Sequence, residues 1–165
     1  MMWGCFCGSI QGSIIPVKGD EESRRGGVTA RRYIEILEEA LPWFLHEMGG
    51  VEHVLFMQDN APIHKAKIVG DWLRENDVQV MVWPPYSPDL NPIEHVWAKL
   101  KRMLHKWYPE LEEMAGGVPV VRESIEKAVT HCWQHLDPEY LRKLARGMPR
   151  RVQAVLKAKG WYTRY

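Results

Sequence analysis

Acidic residues run out at Glu139. Beyond it the chain has no Asp or Glu, yet it places Arg142, Lys143, Arg146, Arg150, Arg151, Lys157, Lys159 and Arg164 there. The whole chain is almost neutral, at +1, so a uniformly basic nucleic-acid coat is excluded and the positive charge is local. Such a stretch reads as a phosphate-binding surface or as a solvated helix face. Cysteine is scarce: Cys5, Cys7 and Cys132 make an odd count with no framework spacing. That argues against a disulfide scaffold and for a reducing interior compartment. A structural zinc site is not expected either, because it would need more ligands at suitable spacing. No apolar run approaches the roughly 20 residues of a membrane span, so no membrane partner is expected. The start, "MMWGCFCGSI", lacks the basic lead and apolar stretch of a signal peptide.

What is present is the composition of a folded domain: 165 residues, 45% of them hydrophobic and eight of them Trp. We read residues 1–165 as one α/β domain with a basic helical tail over about 137–165. Residues 1–7 and 10–17 read as two strands of a hairpin, and 18–27 as a polar loop. Thr29 caps a helix whose apolar stripe holds Ile34, Leu37, Leu41 and Phe44-Leu45, and Gly49-Gly50 ends it. A short strand follows over 54–57, then a helix from Ala61 to about Asn76, then a strand over 78–82. Pro84, Pro85 and Pro88 stiffen the next loop. Asn91-Pro92 opens a helix striped with Val96, Trp97, Leu100, Leu104 and Trp107. Further helices are expected around 121–132, from Asp137-Pro138, and from Pro149 towards Lys159. The tryptophans at 72, 97, 107 and 133 fall on apolar stripes and read as core.

Two carboxylates stand out. Asp59 follows the 54–57 strand, and functional groups of open α/β sheets collect beyond the carboxyl ends of strands. Asp-Asn ahead of a helix is equally ordinary capping chemistry. Glu94 sits at capping-box spacing from Asn91 and in the favourable field of a helix N-terminus. It also flanks the apolar stripe on a helix whose approach three prolines fix, the rigid support that a metal ligand needs. One helix and one strand separate the two acids, a crossover that returns the chain to the same sheet edge. Oxygen ligands of this kind suit Mg²⁺ or Mn²⁺.

The words "WGCF" (3–6), "QDNAPIH" (58–64), "PPYSPDLNPIEHVWAKLK" (84–101) and "MPRRVQAVLKAKGWYTRY" (148–165) resemble the catalytic domain of mariner-like, Tc-type DNA transposases. That acidic-triad (DDE) superfamily shares a ribonuclease H-like fold with retroviral integrases. The resemblance implies a mixed sheet flanked by helices. It also implies metal-dependent cleavage and strand transfer of DNA, with transposon ends and target as partners, and work in the nucleus. By motif position Asp59 matches the family's second acid and Glu94 its third, both catalytic and metal-binding around two divalent ions. The first acid lies upstream of the "WGCF" strand in the family, and no residue here matches it. Asp20, Glu21 and Glu22 lie in the wrong place to replace it. The expectation is therefore a chain lacking the first central strand and inactive alone. Two arrangements would satisfy the sheet: direct pairing of the 1–7 strand with the 54–57 strand, or self-association with another copy. A non-catalytic nucleic-acid-binding transposon remnant is the alternative. Candidate DNA contacts are His64, His95, Lys99, Arg150 and Arg151. Trp83 and Tyr86 are candidates for base stacking or for anchoring the proline loop.

Overall fold

The structure, a computed structural model, describes the chain except residues 21, 22, 24, 25, 85, 86, 116, 162, 164 and 165, and of Asp89 the backbone only. Elements run β1 (Met2–Cys7), β2 (Ile10–Pro16), α1 (Ala30–Glu47), α2 (Lys67–Glu75), α3 (Pro92–Trp107), α4 (Gly117–Gln134), α5 (Pro138–Arg146) and α6 (Met148–Lys157). β1 and β2 form the expected hairpin. Its turn places Gly8 at φ +58°, where a residue without Cβ is unstrained. Contacts divide the chain into two compact units. Residues 1–4 and 15–88 make the first, residues 5–14 and 89–165 the second.

In the first unit, α1 begins where Thr29 Oγ1 accepts the Arg32 amide at 3.2 Å. The Thr29 hydroxyl donates in turn to Asp20 Oδ2 at 2.7 Å, so Asp20 latches the preceding loop. The stripe Tyr33, Leu37, Leu41 and Leu45 recurs every four residues and buries against Val69 and Leu73 of α2, with Val78 beside them. Gly49 and Gly50, both at positive φ, end the helix as expected.

Three expectations are corrected. The strands at 54–57 and 78–82 reduce to one parallel bridge between Phe56 and Val80, with Phe56 N–H donating to the Gln79 carbonyl and Met81 N–H to that of Phe56. Leu55 and Val82 are exposed, so the segments lack the two covered faces that parallel strands require. Among the described residues β1 pairs with β2 and not with the 54–57 segment. The helix expected from Ala61 starts at Lys67, because Ala66 is extended at ψ 137° and residues 61–65 form a separate turn.

In the second unit, Val96, Leu100 and Met103 of α3 pack with Cys132 and Trp133 of α4, with Leu136 and with Leu141 of α5. Trp97 stacks on Trp133 with ring centres 5.9 Å apart. Trp133 Nε1–H donates to the Gly12 carbonyl at 2.9 Å, tying α4 to β2. Asp137 Oδ1 caps α5 through the Glu139 amide. Of the four tryptophans expected in the core, Trp133 is buried and Trp72 and Trp97 are half-buried. Trp107 is exposed, because the last turn of α3 runs past the cluster that buries Met103. Among the described residues no helix is long and apolar enough to cross a membrane.

Candidate metal-binding carboxylates

Asp59 follows the Phe56 bridge and precedes a proline-shaped turn. Pro62 presets that turn, which closes with the His64 and Lys65 amides donating to the Ala61 carbonyl. Closure brings two donors onto one carboxylate oxygen. The Ala61 amide reaches Asp59 Oδ1 at 2.9 Å, and His64 Nδ1 reaches it at 2.7 Å. The His64 ring packs against Tyr33 with centroids 4.4 Å apart, and the Tyr33 hydroxyl donates to Gln58 Oε1 at 2.8 Å. Asn60 Nδ2 donates to the Trp83 carbonyl at 2.9 Å, fastening the loop to the start of the proline segment. The Asp59 side chain nevertheless stays 51% exposed. It is an oriented, hard, anionic oxygen donor facing solvent, the chemistry that Mg²⁺ or Mn²⁺ selects.

Glu94 lies in the first turn of α3 and is exposed. Pro92 opens that helix, and Asn91 Oδ1 accepts the Ile93 amide at 3.4 Å. The neighbouring residue is held from two sides. The His95 carbonyl accepts the Tyr140 hydroxyl at 2.9 Å, and His95 Nε2 lies 2.7 Å from Arg151 Nη1. Burial, then the charges of Arg151 and Arg102, pull the His95 pKa below its ordinary value. Burial pushes the Tyr140 hydroxyl up, against the opposing pull of the same two arginines.

The remaining candidates separate by exposure. Arg150 is exposed on α6, in a groove it shares with Gln153 and Lys157. Lys99 Nζ stands 6.0 Å from the centre of the Tyr140 ring, within reach of a cation–π contact. Arg151 is 4% exposed and turned towards His95, so its guanidinium does not face solvent as a phosphate contact would. Charge count alone could not show which face of α6 packs inward. Trp83 is half-buried; Tyr86, like Glu21 and Glu22, lies outside the described residues. Among the described residues no group of three or more His, Cys, Asp or Glu side chains converges as a metal cluster. Sequence reasoning missed Tyr33, Gln58 and Tyr140, whose polar tips support the two acidic segments. A tyrosine at an otherwise apolar stripe position is the only sequence signal for Tyr33 and Tyr140, and Gln58 shows only as the first residue of the "QDNAPIH" word.

The family model described as "DDE superfamily endonuclease" matches residues 20–115. The Tc1 transposase of Caenorhabditis elegans is 32% identical over 167 residues, covering all of this chain and 54% of that protein. The Tcb1 transposase of Caenorhabditis briggsae is 34% identical over 169 residues, again covering all of this chain and 54% of the relative. The chain thus spans about half the length of the curated relatives it matches. Among solved structures, it is similar to the Mos1 transposase catalytic domain with raltegravir and Mg, at TM-score 0.64 and 24% identity, over 92% of this chain and 69% of that one. It is also similar to the Mos1 mariner paired end complex with Mn, at TM-score 0.69 and 26% identity, over 84% of this chain and 38% of that one. The fold is accordingly the mixed α/β, ribonuclease H-like one of that catalytic domain.

Proposed function

This chain belongs to the DDE superfamily endonucleases, related to the Tc1 and mariner transposases, and we propose that it binds DNA and divalent metal as part of a strand-cleaving and strand-joining domain. One observation carries the reading: the matched region, residues 20–115, encloses both Asp59 and Glu94, which we read by motif position as counterparts of the second and third acids. Each would hold Mg²⁺ or Mn²⁺ through carboxylate oxygen. The fit is sound for Asp59, exposed and oriented by two donors, and for Glu94, exposed on a capped helix turn. When bound, such cations activate an attacking water or 3′-hydroxyl and stabilise the leaving oxygen.

The Mos1 catalytic domain has been solved with Mg, its paired end complex with Mn, and a further paired-end complex with the left transposon end, which supports the same ligands here. Arg150 and Lys99 would meet the phosphate backbone, with His64 and His95 at the margins of the two acidic segments. Two acids leave positions on two cations unfilled. We infer that cleavage needs a third carboxylate from a further segment or a second copy, and that this 165-residue chain alone binds without cutting. A DNA substrate of this class implies work in the nucleus.

The test pairs Mn²⁺ titration, read by electron paramagnetic resonance, with nicking of supercoiled plasmid. The parent is compared with an Asp59→Asn/Glu94→Gln double variant. Metal binding lost in the variant, with neither chain nicking, is the expected result. Equal Mn²⁺ binding by both chains would leave only a nucleic-acid-binding module.

A further inference from the structure

Arg151 is the one charged side chain buried among the described residues. A guanidinium is costly to bury unless strongly partnered, and it can only donate. Its Nη1, 2.7 Å from His95 Nε2, therefore makes that nitrogen the acceptor and leaves the ring proton on Nδ1. From α5, the Tyr140 hydroxyl donates to the carbonyl of the same residue at 2.9 Å. Residue 95 is thus gripped at its ring by α6 and at its backbone by α5. It directly follows Glu94 in the first turn of α3, a part of a helix that ordinarily frays. Asn91 and Pro92 hold the other side of that turn. Glu94 itself stays exposed.

We propose that Arg151 and Tyr140 form a clasp on His95 that fixes the first turn of α3 and so aims the Glu94 carboxylate: they are positioning residues for the third acid. The proposal rests on the reading of Glu94 as a metal ligand. It gives the "MPRR" segment a role that its charge did not suggest. Arg150 faces outward, while Arg151 turns inward and ties the basic tail to the "NPIEH" segment. Metal ligands hold geometry only when the groups behind them are themselves fixed.

The test measures Mn²⁺ affinity and amide hydrogen exchange by mass spectrometry in the 165-residue chain, with Arg151→Met, Arg151→Lys, Tyr140→Phe and Glu94→Gln variants. In Arg151→Met, exchange over residues 92–97 should rise about tenfold while α4 keeps its protection, and Mn²⁺ affinity should fall about tenfold. Arg151→Lys, which still offers a donor to His95 Nε2, should restore both to within about twofold of the parent. Tyr140→Phe should give a smaller change confined to the same turn. Parent-like behaviour of Arg151→Met, or exchange rising evenly through α3 and α4, would overturn the clasp. Should Arg151→Met not fold, parent-like exchange at 92–97 in Tyr140→Phe would overturn it instead. If Glu94→Gln binds Mn²⁺ as the parent does, the ligand reading fails and the positioning role falls with it. The exchange data separate that failure from absence of the clasp.

Discussion

His64 meets Asp59 at two points, its Nδ1 lying 2.7 Å from the carboxylate Oδ1 and 3.3 Å from the backbone carbonyl. An ionised carboxylate only accepts, so His64 Nδ1 carries the proton and donates. The imidazole is steadied by Tyr33, and it fixes the rotation of the carboxylate beside the Ala61 amide. His64→Ala should therefore weaken Mn²⁺ binding by about tenfold. Global stability should change by less than about 1 kcal/mol, because the contact lies on a partly exposed loop. Mn²⁺ titration alongside urea denaturation would separate the two effects. Unchanged metal affinity would make the pair a local loop contact only.

Cys5 and Cys7 share one strand but not one chemistry. Burial, with a smaller contribution from Cys7, pushes the Cys5 thiol up to about 12, while Cys7 is exposed. At pH 8 the Cys5 thiolate fraction is on the order of 10⁻⁴, against roughly a quarter for an ordinary thiol. Iodoacetamide at pH 8 should label Cys7 first and Cys5 more than about a hundredfold more slowly. Linkage gives a second readout. The folded pKa lies above the unfolded one, so the contribution to stability is complete below about 8.5 and is lost as pH rises towards 12. The urea midpoint should fall between pH 8 and 10, and Cys5→Ala should flatten that slope.

The helices were legible because their signals are local. Leu37, Leu41 and Leu45 repeat at helical spacing, and Thr29, Asn91 and Asp137 are capping residues at the observed starts. The 54–57 and 78–82 segments misled because a short apolar run announces extended chain without saying whether both faces will be covered. Only Phe56 and Val80 pair. Asp59 and Glu94 could be singled out from motif and spacing, and each proves exposed. Their supports could not. The His64 contact depends on how Pro62 turns the chain, and the Arg151 contact joins residues 56 positions apart. Nothing in the basic tail distinguishes Arg151 from Arg150 until α6 packs.

Leu141 has no exposure and sits among Val96, Leu100 and Trp133. Leu141→Ala removes buried methyl groups and leaves a cavity between α3 and α5, a loss of about 2–5 kcal/mol. Val118, 75% exposed near the start of α4, has no such burial to lose, and Val118→Ala should stay within about 0.5 kcal/mol of the parent. Urea melts followed by far-ultraviolet circular dichroism would compare them. Equal midpoints would mean that α5 does not contribute to the core of its unit.

Trp133 and Trp107 make the sharpest contrast, because both sit on helical stripes of similar apolar character. Trp133 is 2% exposed, stacks on Trp97 and donates to the Gly12 carbonyl. Trp133→Phe keeps an aromatic ring but strands that carbonyl and shrinks the side chain, at a cost of about 2–3 kcal/mol. Trp107 is 40% exposed, and its ring meets His131 and His135 near the surface. Trp107→Phe should change stability by no more than about 0.5 kcal/mol. The same denaturation experiment reads both. A large loss from Trp107→Phe would mean that this surface is covered in solution, and analytical ultracentrifugation of the parent would then show whether a second copy covers it.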